Sequence, residues 1–156
     1  MDAATIREFR EPDRARVIDL WRDCDLLRPW NDPDLDIDRN LAVEDSMFLI
    51  AELNTHVVGT VMAGYDGHRG WINFLAVDPA QQRQSVGRRL MDRAEQHLRE
   101  RGCPKINLQI RSDNRSALEF YERLGYSIDD VVSMGKQLHN DAARAGDSAT
   151  PIHRRH

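Results

Sequence analysis

The chain has 156 residues and a net charge of −4, with 40% hydrophobic and 31% charged residues. This composition indicates a folded, soluble protein and excludes a disordered chain or an integral membrane protein. The acidic balance also lacks the basic footprint that is usual in nucleic-acid-binding proteins. We therefore expect one globular domain without a nucleic-acid or membrane partner.

The cysteines and the N-terminal residues bear on the cellular compartment. Cys24 and Cys103 are far apart and form neither a CxxC pair nor a metal-ligand spacing. We therefore expect reduced thiols and no bound metal. The first residues lack the charged and then apolar regions of a secretion signal, and no run of about 18 apolar residues occurs. These features predict a cytoplasmic protein.

The first half of the chain mixes strand and helix patterns. A short strand is predicted over residues 5–9, followed by a helix that begins near Pro12 and runs to about Cys24. A second helix is predicted over residues 33–42. Two strand segments on either side of an Asn54-Thr55 turn then predict an antiparallel hairpin over residues 47–52 and 56–65, and a further strand is predicted over residues 71–77.

An irregular segment over residues 26–33 separates the two helices. It contains two prolines together with Trp30, Asn31 and Asp32. An aromatic side chain beside an amide and an acid is a plausible wall for a small polar substrate, and loops between rigid elements often carry binding residues. The alternative is a capping loop, in which Trp30 plugs the edge of the core and Asp32 caps the next helix.

Residues 74–91 combine a strand, a polar loop and a helix. The strand ends at Pro79, which cannot donate to a sheet ladder. From Val86 to Leu98 apolar residues recur at every fourth position, which predicts an amphipathic helix. Its first-turn N–H groups lack an intrahelical partner, so the loop is either an anion site or an ordinary connection. With Gly87 alone, it fits neither the Gly-Lys-Ser/Thr nor the three-glycine phosphate-binding pattern.

The last part of the chain contains three more strand patterns and one helix. Gly102 predicts the end of the central helix, and residues 105–110 alternate as a strand. Asp113 is the predicted N-cap of a helix that ends at Gly125. Two final strands are predicted over residues 126–128 and 131–138. The chain loses periodicity at Asn140, which predicts one domain over residues 1–139 and a disordered tail over 140–156.

Two motifs carry a family resemblance. The first is Gln82-Arg83-Gln84-Ser85-Val86-Gly87, and the second is Asn114-Arg115-Ser116-Ala117-Leu118-Glu119-Phe120-Tyr121-Glu122-Arg123-Leu124-Gly125-Tyr126. Both resemble signatures of the GNAT superfamily of acyl-CoA N-acyltransferases. Ser85 departs from the pattern because it stands where a glycine is usual. If that position needs a left-handed backbone, a residue other than glycine costs about 1–2 kcal/mol. Residues 27–33, 64–70 and 102–106 resemble the YpeA-type subgroup more narrowly.

The resemblance implies a fold and an activity. The implied fold is α/β (α+β), with a central mixed, mostly antiparallel sheet of about six to seven strands flanked by about four helices. The implied enzyme moves an acetyl group from acetyl-CoA to an amine by direct transfer in a ternary complex, with no metal. Two-subunit association is common in the family, so a homodimer is also expected.

The resemblance also implies which residues hold coenzyme A. The loop N–H groups would cradle the pyrophosphate, and the strand before the loop would bond the pantetheine arm through its backbone. Asn114 would contact the cofactor near that arm, and Tyr121 would donate a proton to the departing thiolate. Periodicity alone equally allows Tyr121 to be a core aromatic. The implied cofactor-binding residues are Leu75, Ala76, Val77, Gln82, Arg83, Gln84, Ser85, Val86, Gly87, Arg88, Asn114 and Tyr121.

The acceptor amine must lose a proton before it attacks. At pH 7 this costs about 4.6 kcal/mol for a lysine-type amine and about 1.4 kcal/mol for an α-amine. Several family members place a glutamate on the strand before the loop, where this chain has Asn73, which cannot act as a base. Our hypothesis is that Asp32 or Asp66 accepts the proton, directly or through water. The predicted substrate residues are Trp30, Asn31, Asp32 and Asn73.

The sequence is compatible with three functions. The first is acetylation of a small amine or amino acid, which a pocket closed by the Trp30 loop would favour. The second is acetylation of a protein N-terminus or lysine, which an open peptide groove would favour. The third is an acyl-CoA-binding sensor without turnover, which the Ser85 departure and the missing strand glutamate allow, whereas Asn114 and Tyr121 argue against it.

Overall fold

A computed structural model describes residues 3–82 and 85–143. Within these residues the chain forms five strands and four α-helices. In chain order these are β1 (Thr5–Glu8), α1 (Arg14–Asp23), α2 (Pro33–Ala42), β2 (Met47–Leu53), β3 (His56–Tyr65), β4 (Gly70–Val77), α3 (Val86–Glu100), β5 (Ile106–Leu108) and α4 (Arg115–Arg123). Short 3₁₀ turns occupy Glu11–Asp13, Pro79–Gln81 and Asp141–Ala143.

The five strands form one mixed sheet in the order β1-β2-β3-β4-β5. The pairs β1–β2, β2–β3 and β3–β4 are antiparallel, whereas β5 runs parallel to β4. The predicted α+β class with a mostly antiparallel sheet is confirmed. The sheet has fewer strands than the six to seven that the sequence predicts.

The predicted strands over residues 126–128 and 131–138 are wrong, because the described backbone there is irregular. Their apolar side chains are not buried against a sheet face, and alternation stabilises a strand only where one face is buried. The side chains that are 75% to 91% exposed are Ile128, Val131, Val132, Met134 and Leu138.

The chain divides into two compact units. The first contains the described residues up to Leu27 and Pro33–Gln109, and therefore the whole sheet with α1, α2 and α3. The second contains Arg28–Asp32 and the described residues from Ile110 onward, with α4. The single domain over residues 1–139 stays a prediction.

The predicted tail begins with structure. Residues 141–143 form a 3₁₀ turn, and Asp141 is only 6% exposed. A buried side chain fixes its own backbone, so disorder from residue 140 is wrong for these first residues. The remainder of the predicted tail, residues 144–156, lies outside the described residues.

Trp21 lies in the core of the first unit. The α1 side chains Val17, Leu20 and Trp21 are all fully buried, because their spacing places them on one face of the helix. Each such burial stabilises the fold by about 1.5–3 kcal/mol. The rest of this core cluster consists of Ile37, Phe48, Ile50, Val57, Met62 and Ala76.

The helix α3 packs against β3 at Gly59. A Cβ atom built on Gly59 would lie 2.9 Å from Leu90 Cδ1, 3.0 Å from Val86 Cγ1 and 3.2 Å from the carbonyl oxygen of Ala76. Interiors are close-packed, so a side chain at this position would push the helix away from the strand. The predicted apolar stripe of α3 is confirmed, since Val86, Leu90, Ala94 and Leu98 are buried.

We predict that Gly59→Ala destabilises the protein by about 1–3 kcal/mol, the usual cost of overpacking. The matched control is Gly64→Ala in the same strand, because nothing lies within 4 Å of a Cβ built there. The free energy of unfolding from urea denaturation measures both changes. Equal stability losses in the two variants would contradict the close packing of α3 on β3.

Candidate active site

The strand β4 has a strand partner along most of its length on one side only. β5 pairs with residues 70–72, whereas β3 stays paired with β4 as far as Val77. The Asp78 N–H donates to the Val58 carbonyl (2.8 Å). Because hydrogen bonds alternate in an antiparallel ladder, the backbone groups of Val77 point to the opposite edge. Beyond residue 72 this outer edge has no strand partner among the described residues.

Side chains contact the end of β4. The Val77 carbonyl accepts hydrogen bonds from Cys24 Sγ (3.4 Å) and Gln82 Nε2 (3.1 Å). Burial raises the pKa of the Cys24 thiol, so this thiol stays protonated and can donate. The predicted cofactor residue Gln82 therefore contacts the outer edge of β4 through its side-chain amide.

The loop after β4 begins at a fixed aspartate. Asp78 Oδ1 accepts from the Ala80 N–H (3.0 Å), and Asp78 Oδ2 accepts from Arg16 Nη2 (2.8 Å). Arg16 also donates from Nε to the Val57 carbonyl (3.1 Å), so it joins α1 to the start of the loop and to β3. The predicted cofactor residues Arg83 and Gln84 lie outside the described residues.

The first turn of α3 has the features of an anion site. Its N-cap residue, Ser85, has a left-handed backbone with φ of 64°, and its side chain makes no capping hydrogen bond. Val86 and Gly87 are buried, whereas Arg88 is exposed and forms no ion pair with any described residue. Arg89 donates to the Ala4 carbonyl instead of pointing to solvent. Unpaired first-turn N–H groups and one unpaired cation favour a bound anion.

In the second unit, α4 carries the two residues of the second motif that have predicted roles. Asn114, not Asp113, is the N-cap, because Asn114 Oδ1 accepts from the Ala117 N–H at 3.1 Å. The predicted cap was therefore wrong by one residue. Tyr121 is 9% exposed, and burial raises its pKa well above the usual range. Its ring meets Phe120 and Tyr126 edge to face.

The Trp30 loop is hydrogen-bonded to Asp141, which belongs to the same unit. The Asp141 N–H donates to the Trp30 carbonyl (3.2 Å), and the Asp32 N–H donates to Asp141 Oδ2 (2.7 Å). His139 Nε2 lies 3.5 Å from Asp141 Oδ1. Trp30 is 39% exposed, so it does not plug a core edge. The indole and the Asn31 side chain instead present a surface that is open to solvent.

A family comparison decides what this arrangement belongs to. A model of the acetyltransferase (GNAT) family matches residues 14–126, well over half of the chain. The chain belongs to this GNAT family. The predicted superfamily is therefore confirmed, while the YpeA-type subgroup stays a prediction.

Solved structures show the same fold. Ard1 from Thermoplasma volcanium is 29% identical, with a TM-score of 0.70 over 82% of this chain and 85% of that chain. Glucosamine-6-phosphate N-acetyltransferase from Arabidopsis thaliana is 21% identical, with a TM-score of 0.66 over 88% and 99%. AAC(6')-Iy, in complex with the bisubstrate analogue CoA-S-monomethyl-acetylneamine, is 15% identical, with a TM-score of 0.72 over 87% and 99%.

The two candidate bases of this GNAT chain have different environments. Asp66 Oδ1 accepts from the Arg69 and His68 N–H groups (both 2.8 Å) in the β3–β4 turn. These backbone bonds lower the pKa of Asp66, which makes it a weaker base than an ordinary carboxylate. Asp32 lies in the other unit, on the Trp30 loop, and Asn73 is exposed on β4.

The described residues also bear on metal binding and membrane spanning. Among residues 3–82 and 85–143, no cluster of three or more His, Cys, Asp or Glu side chains could hold a metal ion. No helix in the same residues has the length and apolar character needed to span a membrane.

Sequence reasoning missed two long-range contacts of this GNAT chain, one within each unit. Arg16 is a partly buried residue of α1, and its link to Asp78 joins residues 62 apart in the chain. Asp141 lies in a segment without periodicity, and its contact to Asp32 spans 109 residues. No local pattern signals such a long-range contact. An isolated acidic residue in a segment without hydrophobic periodicity is the one local sign of it.

We predict that Ser85→Gly raises the stability of the protein by about 1 kcal/mol, because glycine adopts the left-handed backbone without steric cost. The melting temperature should rise by about 2–4 °C. Ser85→Ala is the matched control, since it keeps Cβ and removes a hydroxyl that makes no capping bond. Calorimetry measures both. A gain in the alanine variant equal to that in the glycine variant would refute the backbone explanation.

We also predict that Asp141→Ala loosens the Trp30 loop. The Asp32 N–H loses its carboxylate acceptor, and the loss of one hydrogen bond to a charged group corresponds to roughly tenfold faster amide exchange or more. Asp141→Asn is the control, because its side-chain oxygen can still accept this bond. NMR hydrogen exchange at the Asp32 amide measures the effect, and unchanged exchange in the alanine variant would show that Asp141 does not hold the loop.

Proposed function

We propose that this protein is an N-acetyltransferase that moves an acetyl group from acetyl-CoA to a primary amine by direct transfer in a ternary complex. The acceptor is a small amine or amino acid. One observation carries the proposal. In a member of the GNAT family, a strand edge with no strand partner among the described residues is followed in the chain by a helix whose first turn has the features of an anion site.

The described residues fit acetyl-CoA at two places. The first-turn N–H groups of α3 and the Arg88 guanidinium would hold the pyrophosphate, because the helix dipole and the unpaired cation both favour negative charge. The outer backbone edge of β4, from Leu75 to Val77, would hold the pantetheine arm. When bound, acetyl-CoA would supply the acetyl group as a thioester.

Tyr121 is suited to act as a general acid that donates its proton to a leaving group. Burial disfavours the phenolate, so the pKa of Tyr121 is raised and the phenol stays neutral at physiological pH. A positioned acid of this kind contributes typically about 10²–10⁴-fold to a rate. We assign Tyr121 the role of proton donor to the departing sulfur. Asn114 caps the N-terminus of α4 through its side-chain oxygen, and its side-chain NH₂ group would contact the cofactor arm.

The acceptor side uses the Trp30 loop in this proposal. Asp32 is the preferred base, directly or through water, since the pKa of Asp66 is lowered by the turn that it stabilises. The half-exposed Trp30 would pack on the apolar part of the acceptor, with Asn31 beside it. Asn73 on β4 would contact the amine by hydrogen bonding. The homodimer that the family resemblance implies stays a prediction.

We predict that Tyr121→Phe lowers kcat by roughly 10²–10⁴-fold, with little change in KM. Release of free coenzyme A thiol measures turnover, and the acceptor panel contains amines, amino acids and short peptides. Tyr126→Phe is the matched control, because it keeps the ring that meets Tyr121 edge to face and the backbone N–H that donates to the Tyr121 carbonyl (3.0 Å), and it removes only the Tyr126 hydroxyl. Turnover on peptides alone would replace the small-molecule acceptor with a protein acceptor.

The same assay tests the protonation state of Tyr121. Because the folded-state pKa lies above the usual value near 10, the phenol should remain protonated as the pH rises to about 10. Deprotonation of Tyr121 should therefore cause no fall in the wild-type kcat below about pH 10. A fall in kcat below about pH 10 that is present in the wild type and absent in Tyr121→Phe would contradict the assigned role.

Binding of acetyl-CoA without turnover on any acceptor would favour a sensor.

A further inference from the structure

The strand β4 contains a β-bulge just after β5 ends. In the register with β3, Thr60 pairs with Ala76 and Met62 pairs with Asn73. One β3 residue, Val61, therefore lies opposite two β4 residues, Phe74 and Leu75. Such a bulge breaks the ladder locally and turns the backbone groups of the bulged strand in new directions.

Phe74 has an unusual backbone in this bulge. Its φ is 52°, in the left-handed region, where a bulky aromatic residue is rare. A strained backbone of this kind persists only when its surroundings hold it there. The surroundings of Phe74 should therefore contain the groups that fix it.

Two fully buried side chains contact Phe74, one at its backbone carbonyl and the other at its ring. The Thr60 hydroxyl donates to the Phe74 carbonyl (2.8 Å) and accepts from the Trp21 indole N–H (3.0 Å). The Trp21 ring stacks on the Phe74 ring, with centroids 3.9 Å apart and planes at 18°. Thr60 and Trp21 are both 0% exposed. A hydroxyl is needed at Thr60 because it donates and accepts at once.

We propose that Thr60 and Trp21 are positioning residues that fix the bulge at Phe74 and thereby aim the β4 backbone that binds the acetyl-CoA arm. The inference rests on the proposed function, since it concerns the same strand edge. Neither residue contacts the cofactor in this proposal. Thr60 acts through the Phe74 carbonyl, and Trp21 acts by orienting the Thr60 hydroxyl and by stacking on the ring.

The central test is Thr60→Val, which keeps the shape of the side chain and removes the hydroxyl. The amide exchange of residues 73–77, measured by NMR, should become about tenfold faster, as expected for the loss of one buried hydrogen bond. The dissociation constant of acetyl-CoA from calorimetry should rise by about tenfold. The KM for acetyl-CoA should rise likewise, while the KM for the acceptor stays unchanged.

Two variants serve as controls in the full-length protein. Thr60→Ser keeps the hydroxyl and should restore exchange and affinity to within about twofold of the wild type. Ile50→Val removes one buried methylene from the β2 residue that pairs with Thr60 and that is also 0% exposed. It should lower stability without changing either the exchange of residues 73–77 or the affinity for acetyl-CoA.

Several outcomes would overturn the proposal. If Thr60→Val behaves like Ile50→Val, Thr60 has only a structural role. If exchange becomes faster while acetyl-CoA affinity is unchanged, the bulge does not position the binding strand. If Thr60→Val fails to fold, Trp21→Phe replaces it, and exchange no faster than in Ile50→Val would refute the relay. Absence of acetyl-CoA binding in the wild type would instead refute the proposed function itself.

Discussion

The close approach of α3 to β3 at Gly59 is the contact on which the geometry of the site depends. Gly59 pairs with Val77, the last residue of β4, and its Cα faces Val86 and Leu90 of α3. The absent side chain therefore sets the distance between the helix that would bind the pyrophosphate and the strand edge that would bind the pantetheine arm. Close packing makes this distance a fixed property of the core, because neither element can move without opening a void or a clash.

Backbone strain lies on both sides of the proposed cofactor segment. Phe74 precedes residues 75–77 with φ of 52°, and Ser85 starts α3 with φ of 64°. Residues other than glycine adopt such angles at an energetic cost, and proteins tend to retain that cost where a particular geometry is needed. The compensation for Phe74 comes from Trp21 and Thr60, whereas the Ser85 side chain makes no capping bond to offset its strain.

The sequence predicted the elements that depend on local patterns. The stripe of α3, the glycine ends of α3 and α4 and the first four strands follow from periodicity and turn chemistry, and Gly102 and Gly125 do have positive φ. Two classes of feature could not be predicted. The alternation at residues 126–138 lacks a buried face, which no local pattern reveals. The bulge at Phe74 and the Asp141 contact depend on partners far away in the chain.

The three tryptophans differ in solvent exposure in a way that makes them natural optical probes. Trp21 is fully buried and stacked on Phe74, whereas Trp71 and Trp30 are 37% and 39% exposed and lie in the first and the second unit. A soluble collisional quencher would reach the two exposed indoles and leave the emission of Trp21. The residual, blue-shifted fluorescence would then report on the core beside the bulge, and the quenched part would report on the surface of each unit.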